Sequence, residues 1–481
     1  MTPDMQTIAA ILRAGAASAM SIEEIIHQEV SDWQRDPLRK LMLTGQQYYG
    51  LDNDVLKYKR MTIGEGGASI EATNLANNKL PHGFIRKLVD QKVGYLLSKP
   101  LSIQTENTAY EDLLKDFFNK SFLRLLQSVG REAINKGKAW VHIYYSPAGK
   151  LSLKRIPSEE CIPLWRDAAH TELDALIRVY EVEVYEGKTK KVIKKIEFWD
   201  TTGVKRFVLD GVGMTPDIEA GDSGTHFTLV EGEDKEVPLN WERVPFVCFK
   251  YHEDELPLVK FVQALVDDYD RKKSDNSNNL DDLPNSVYVI KNYDGQDLGE
   301  FRRNLSVFRA VKVMDDGAVD TLSLDIDTEA YKTHQEMNRK DIYEFGRGVD
   351  TQSDKFGNSP SGIALKFLYQ DLDLDANDIE TEFQASLEQL RWFIDTHLAN
   401  SGLGDFSEES VDFILNRDIL INEMDTITNA KNSVGVISEE TIVANHPWVT
   451  NAQDEMKRLE ADRKKAMDDL AYETKITGDS A

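Results

Sequence analysis

A chain of 481 residues exceeds what one hydrophobic core usually supports, so at least two structural regions are expected. Its 83 acidic and 57 basic residues leave a formal net charge of −26, the wrong sign for a protein built to grip phosphates and read a base sequence. An apolar fraction of 41% excludes wholesale disorder. An acidic wall repels a polyanion, which still allows DNA to pass along it without sticking. Cys161 and Cys248 both sit in apolar strand-like runs and read as two buried thiols. The start of the chain has no basic region, and its apolar stretch, IAAILRAGAASAM, is interrupted by Arg13. A soluble cytosolic protein with no membrane span is therefore expected.

Residues 1–135 read as mostly helical. Ser21 with Glu24 three residues on is a capping-box pattern. Asp36-Pro37 restarts a helix that runs through LRKLMLTGQQYYG and stops near Gly50. IGEGGAS reads as a loop. Phe84, Leu88, Val89, Val93 and Leu96 then mark one face of a helix that ends at Pro100. TAYEDLLKDFFNKSFLRLLQSVGREAINKG supplies two more helical stretches.

Between residues 138 and 250 the apolar period changes to two. AWVHIYY, KLSLKRI, IRVYEVEVYEG, KKVIKKIEFWD and GVKRFVLDG read as short antiparallel strands with turns between them. GVGMTPDIEAGDSG is expected to be a long loop. The lysines within residues 188–195 read as the solvated side of an edge hairpin, where lysine also discourages aggregation.

Residues 256–282 form a long helix candidate with Leu258, Val262, Leu265 and Tyr269 on one face. Its second half, RKKSDNSNNLDD, is polar on every side, so it is expected to be solvated or packed against neighbouring copies. Residues 285–327 read as a small α/β insertion. It comprises a strand SVYVI, a short helix LGEFRRNLSVF, and the strands AVKVM and VDTLSLDI flanking a hairpin turn at Asp315-Asp316-Gly317. TEAYKTHQEMNRKDIYEFGRG is a second polar helix, so the insertion has the outline of a knob on a stalk. A polar loop at residues 349–360 follows, and Pro360 opens a very long helix. The strand SVDFILNRD and a charged C-terminal helix close the chain.

No phosphate loop, G-x-S-x-G, HExxH or CxxC pair occurs, and no two of the nine histidines stand at ligand spacing. No catalytic, cofactor or metal residue is assigned. Asp371, Asp373, Asp375 and Glu382 imitate positions 1, 3, 5 and 12 of a calcium loop. Ala376 stands where that loop needs glycine, and Asp378 where it is usually apolar, so the acidic face of a long helix is preferred. Asp267-Asp268 and Asp281-Asp282 would be the ligands of a rival, a metal-dependent nuclease. Adjacent residues on a helix do not face one another, which favours solvated charge.

Four segments, in order, carry a family resemblance: GQQYYGLDNDVLKYKR, NLANNKLPHGFIRKLVDQKVGYLLSKP, ALVDDYDRKKSDNSNNLDDLPNSVYVI and FGNSPSGIALKFLY. Together, over roughly residues 40–400, they resemble the portal proteins of tailed bacteriophages, of the type found in Bacillus siphophages. Ser98 stands where that family often has glycine. The resemblance implies an α+β fold with a helical and strand-rich wing (1–255), a stem helix (256–284), a small α/β clip (285–327), a second stem helix (328–348) and a tunnel loop (349–360). A long helix with a wing return (361–448) and a helical crown (449–481) complete it. It implies a homo-oligomer, a dodecameric ring at one capsid vertex, found in the virion and in the host cytoplasm during assembly. Double-stranded DNA would pass through without sequence specificity. Its partners would be the terminase motor, capsid and scaffolding proteins and a head–tail adaptor, with no membrane and no cofactor. Gln352, Ser353, Asp354, Lys355 and Phe356 would then lie near the DNA, and Arg302, Arg303 and Arg309 would make clip contacts. ATP hydrolysis would belong to the motor, so no enzyme is expected. Another minor head or adaptor protein of the virion is the second rival.

Overall fold

The computed structural model describes residues 21–63, 67–73, 75–209, 213–231, 235–281, 286–293, 299, 313–323, 328–352, 362–417, 423–449 and 452–478. Along them run helices α1 (Ile22–Arg35) and α2 (Pro37–Tyr49), strands β1 (Met61–Ile63) and β2 (Ser69–Glu71), helix α3 (Phe84–Leu97), strand β3 (Ser102–Gln104), and helices α4 (Thr108–Phe117) and α5 (Lys120–Lys136). A strand-rich region follows: β4 (Lys138–Tyr145), β5 (Leu151–Ile156), β6 (Cys161–Trp165), β7 (Leu173–Glu186), β8 (Thr189–Asp200), β9 (Gly203–Leu209), β10 (Met214–Pro216), β11 (Ser223–Gly224), β12 (Phe227–Glu231), β13 (Lys235–Leu239) and β14 (Phe246–Lys250). Then come α6 (Val259–Asp281), β15 (Ser286–Tyr293), β16 (Val313–Ser323), α7 (Thr328–Phe345), α8 (Gly362–Asn400), β17 (Asp412–Ile414), α9 (Glu423–Asn432), α10 (Glu439–Ala444) and α11 (Ala452–Gly478). The fold is mixed helix and strand. The chain divides into two compact units, one of Met1–Gly50, Ile85–Val262 and Tyr343–Ala481, the other of Leu51–Phe84 and Gln263–Ile342.

In the first unit, both helix starts follow from local chemistry. The Ser21 hydroxyl accepts the Glu24 N–H at 3.2 Å while the Glu24 carboxylate accepts the Ser21 N–H at 2.7 Å, the reciprocal capping box. Asp36 caps α2, and Pro37 sits where its missing N–H costs nothing. Strands β6 to β10 form an antiparallel meander in the order β10-β9-β8-β7-β6. Alternation along it splits the core in two. Ile177 and Phe198 point toward Ile26, Val30, Trp33 and Met42 of α1 and α2. Their chain neighbours Leu176 and Trp199 point the other way, into a cluster with Trp140, Phe246 and Cys248 of the β14-β4-β5 sheet. Cys161 and Cys248 are free and buried. GVGMTPDIEAGDSG is not one loop, because β10 and β11 both pair with β9. Strands of two or three residues are too short for alternation to reveal.

Helix α5 ends at Gly137 in the left-handed region, φ +84°, and a Cβ there would stand 1.9 Å from the Glu255 carbonyl oxygen. That close approach brings Glu255 beside Lys138, with His170 Nδ1 at 2.7 Å from its carboxylate. Burial opposes the charge on Glu255, but the His170 hydrogen bond and the Lys138 ammonium outweigh it, and the carboxyl titrates at about 2. The folded value lies below the ordinary 4.5, so this contribution is whole above about pH 4.5 and is lost as pH falls toward 2. Urea midpoints measured across that window should fall by the equivalent of about 3 kcal/mol at most. In Glu255→Gln the same stretch of the profile should be flatter.

In the second unit, the polar half of α6 is not bare. Asp270, Ser274 and Asn278, one helical turn apart, are 0%, 1% and 1% exposed. Residues 78–82 run extended along them. The His82 N–H and its ring Nδ1 reach Asp270 at 3.0 and 2.7 Å, and Asn53 Nδ2 donates to the same carboxylate at 2.6 Å. The Leu80 N–H donates to Ser274 Oγ at 3.0 Å, and the Asn78 N–H to Asn278 Oδ1. The expectation of a polar half left to solvent or to neighbouring copies is therefore corrected for Ser274 and Asn278, which lie in it. A polar helix face can be buried in its own chain when a strand-like segment supplies matching donors.

A second correction concerns Asp315-Asp316-Gly317. Strand β16 passes straight through it, pairing with β15 from Ser286↔Ser323 to Tyr293↔Val313, and the register shifts between Lys291 and Tyr293. Asp316 sits there at φ 65°. The Asp-Gly signal marks an irregularity within one strand, where residues 314–317 stand opposite Asn292 alone and Asp316 takes the left-handed conformation, rather than a turn between two strands. The helix expected at LGEFRRNLSVF lies outside the described residues except at Gly299.

Candidate functional site: the mount of the 349–360 loop

The loop between α7 and α8 leaves from a closely tied base in the first unit. Helix α7 ends in a Schellman arrangement, with the Gly348 N–H on the Tyr343 carbonyl at 2.8 Å and the Arg347 N–H on the Glu344 carbonyl at 3.1 Å. The left-handed residue of such a cap is usually glycine, and here it is Arg347, φ 48°. That conformation costs a side-chain-bearing residue roughly 1–2 kcal/mol. The arginine offsets part of it by placing its guanidinium 2.8 Å from Asp378 and 3.8 Å from Asp375, both on α8.

Helix α3 supplies the platform. Leu88, Gln91, Lys92 and Tyr95 recur at helical spacing and face the loop's root. A Cβ on Gly348 would stand 2.2 Å from the Leu88 side chain, so any larger residue there would have to displace that buried leucine. The Gln91 side-chain amide brackets Val349, accepting its N–H at 2.9 Å and donating to its carbonyl at 3.1 Å. Lys92 is buried, and its Nζ donates to the Arg347 carbonyl at 3.1 Å and to Asp375 at 2.7 Å. Burial pushes its ammonium pKa down, against the pull of Asp375. The Tyr251 hydroxyl donates to the other Asp375 oxygen at 2.9 Å, so the carboxylate is fully engaged. Further along, Tyr95 donates to Asp373, which Arg417 also reaches at 3.2 Å. One helix thus holds both the entry to the loop and the early turns of α8 that follow it. Such an arrangement positions a segment.

Among the expected site residues, Gln352 is exposed just past this base, its N–H on the Asp350 carboxylate at 3.1 Å. Ser353, Asp354, Lys355 and Phe356, and also Arg302, Arg303 and Arg309, lie outside the described residues. The calcium-loop imitation is dissolved by α8, which runs unbroken through Asp371, Asp373, Asp375 and Glu382. On a helix, residues two apart diverge. Asp375 itself is 4% exposed and paired, not solvated. Asp268, once a nuclease candidate, holds Arg271 at 2.8 Å and His334 at 2.9 Å. Among the described residues, no group of three or more His, Cys, Asp or Glu gathers where a metal ion could sit, and no helix is long and apolar enough to cross a membrane.

Gln91, Lys92 and Arg347 escaped the sequence reading, though one signal was present. Lys92 stands four residues from both Leu88 and Leu96, in the middle of the apolar stripe of α3. A charge in that position must be paired or shift its protonation.

Two curated relatives are called portal proteins. That of Bacillus phage SPP1 is 28% identical over 440 residues, covering 91% of this chain and 85% of the relative. That of Clostridium phage phiCD119 is 29% identical over 443 residues, covering 89% and 93%. Among solved structures, a chain from the neck of a native GTA particle computed with C12 symmetry overlaps 76% of this chain and 89% of its own. Its TM-score is 0.40 at 11% identity. Residues 34–469 match the family described as phage portal protein, SPP1 Gp6-like, and the chain belongs to that family.

Proposed function

We propose that copies of this chain form a ring, a dodecamer at one capsid vertex, through which double-stranded DNA is packaged, retained and ejected. The observation that carries this is the mount, because a loop that must meet a moving polyanion needs a root that does not yield. Gln91, Lys92 and Arg347 supply that root in the first unit. Loop residues Gln352, Ser353, Asp354, Lys355 and Phe356 face the channel, and the acidic chain keeps DNA from adhering. Residues 256–284 and 328–348 act as stem helices, and 285–327 as the clip, where Arg302, Arg303 and Arg309 meet a neighbouring copy or the terminase motor. Capsid and scaffolding proteins and a head–tail adaptor are the other partners. The ring is a passive conduit, with ATP hydrolysis left to the motor.

Lys355→Ala tests the loop. Negative-stain images should show rings for both wild type and variant, while packaging efficiency or genome retention changes in the variant alone. Unaltered packaging and retention would remove the loop from the mechanism, and a wild type that stays monomeric would remove the ring.

A further inference from the structure

The first unit carries an arm that its own sheet does not use. Strands β7 and β8 are the longest of the meander, at 14 and 12 residues. Strand β6 pairs with β7 only as far as Arg178, and β9 pairs with β8 only from Lys194 onward. From Val182↔Ile193 to Glu186↔Thr189 the two strands pair with each other, and among the described residues no third strand pairs with either of them there. Five such pairs reach about 17 Å past the sheet at the usual rise per residue. A two-stranded ribbon alone in water is marginal, so an arm of this length needs a partner surface to hold its shape.

The arm's chemistry says what that surface is. The free ribbon itself, residues 182–193, holds three lysines against two glutamates, a small basic excess on a chain of net charge −26. Tyr185 is 73% exposed and Val192 52% exposed at its tip. A basic, partly apolar ribbon fits an acidic protein surface. It does not fit DNA, because Glu183 beside Lys190 at 2.6 Å and Glu181 beside Lys194 at 3.8 Å would face the phosphates as well.

We propose that this β7–β8 arm docks on the acidic surface of the next copy, a head-to-tail contact of the kind that closes a ring. Chains of charge −26 repel one another, and assembling them requires local contacts of opposite sign. The inference rests on the ring proposed above.

The test uses the full chain and three proteins: wild type, the Lys188→Glu/Lys190→Glu/Lys191→Glu variant, and one in which residues 183–192 are replaced by Asn-Gly. The last keeps Val182 opposite Ile193 and removes only the free ribbon. Ring assembly is followed by sedimentation against protein concentration. A carbodiimide that joins amines to carboxylates maps which copy the arm touches. Both variants should keep the wild-type thermal melt yet need at least ten times more protein to form rings, and wild-type rings should show arm lysines joined to carboxylates of another copy. Wild-type rings with unchanged variant assembly would overturn the arm contact and leave the ring standing. Arm lysines joined only within one copy, or duplex DNA bound by wild type and released by the lysine variant, would overturn it too. A wild type that forms no rings would remove both proposals together.

Discussion

Lys92→Met should cost about 3–5 kcal/mol in urea unfolding, because it leaves the Asp375 carboxylate buried with its charge uncompensated. The loss of a contact is the smaller part of that figure. Asp375 is 4% exposed, and the nearest remaining cation, the Arg347 guanidinium, is 3.8 Å away and already engaged by Asp378. The double variant Lys92→Met/Asp375→Leu removes both charges and should recover most of the loss. It should fall short of wild type because the Tyr251 hydroxyl then loses its acceptor in a buried place, at about 1–3 kcal/mol. Hydrogen exchange separates this from general weakening. The Val349 amide, bonded to Gln91, should lose protection in Lys92→Met before the core strand β4 does. If the single and double variants prove equally unstable, the lysine acts by packing and the charge argument fails.

The helices were legible wherever one face is apolar or an end is marked by a specific residue. Ser21 with Glu24, Asp36 with Pro37, and the stripe from Phe84 to Leu96 are cases where the deciding interaction lies within a few residues of sequence. The long alternating strands were legible for the same reason, since Leu176 and Ile177 declare opposite faces by period alone. What could not be read is pairing over distance. Nothing near Ser274 in the sequence announces that Leu80, 194 residues earlier, will donate to it. Nothing near Asp316 distinguishes an irregularity within one strand from a turn, because both can hold a left-handed residue, and only the partner strand decides. The mount shows the same division. The loop was visible as a polar gap between helices, while the lysine and the glutamine that hold its root lie on α3, more than 250 positions away.

Asp270 offers the sharpest measure of the polar packing in the second unit. It is fully buried and accepts from the His82 N–H, the His82 ring and the Asn53 amide. Asp270→Ala takes the acceptor from all three donors; His82 is part-exposed and Asn53 Nδ2 keeps the His82 carbonyl at 3.2 Å, so at about 1–3 kcal/mol for each group left unsatisfied a total loss of about 2–4 kcal/mol is expected. Asp270→Asn keeps the shape and one accepting oxygen but turns an amide toward a donor, so its loss should be roughly half as large. An apolar seam would respond differently, since the alanine variant would then track only the volume removed. The amides of Asn78, Leu80 and His82, all bonded to α6, should lose exchange protection together in Asp270→Ala. If Asn78 and Leu80 stay protected while His82 opens, Ser274 and Asn278 hold the segment independently, and the carboxylate is one contact among several rather than the point on which residues 78–82 are fastened.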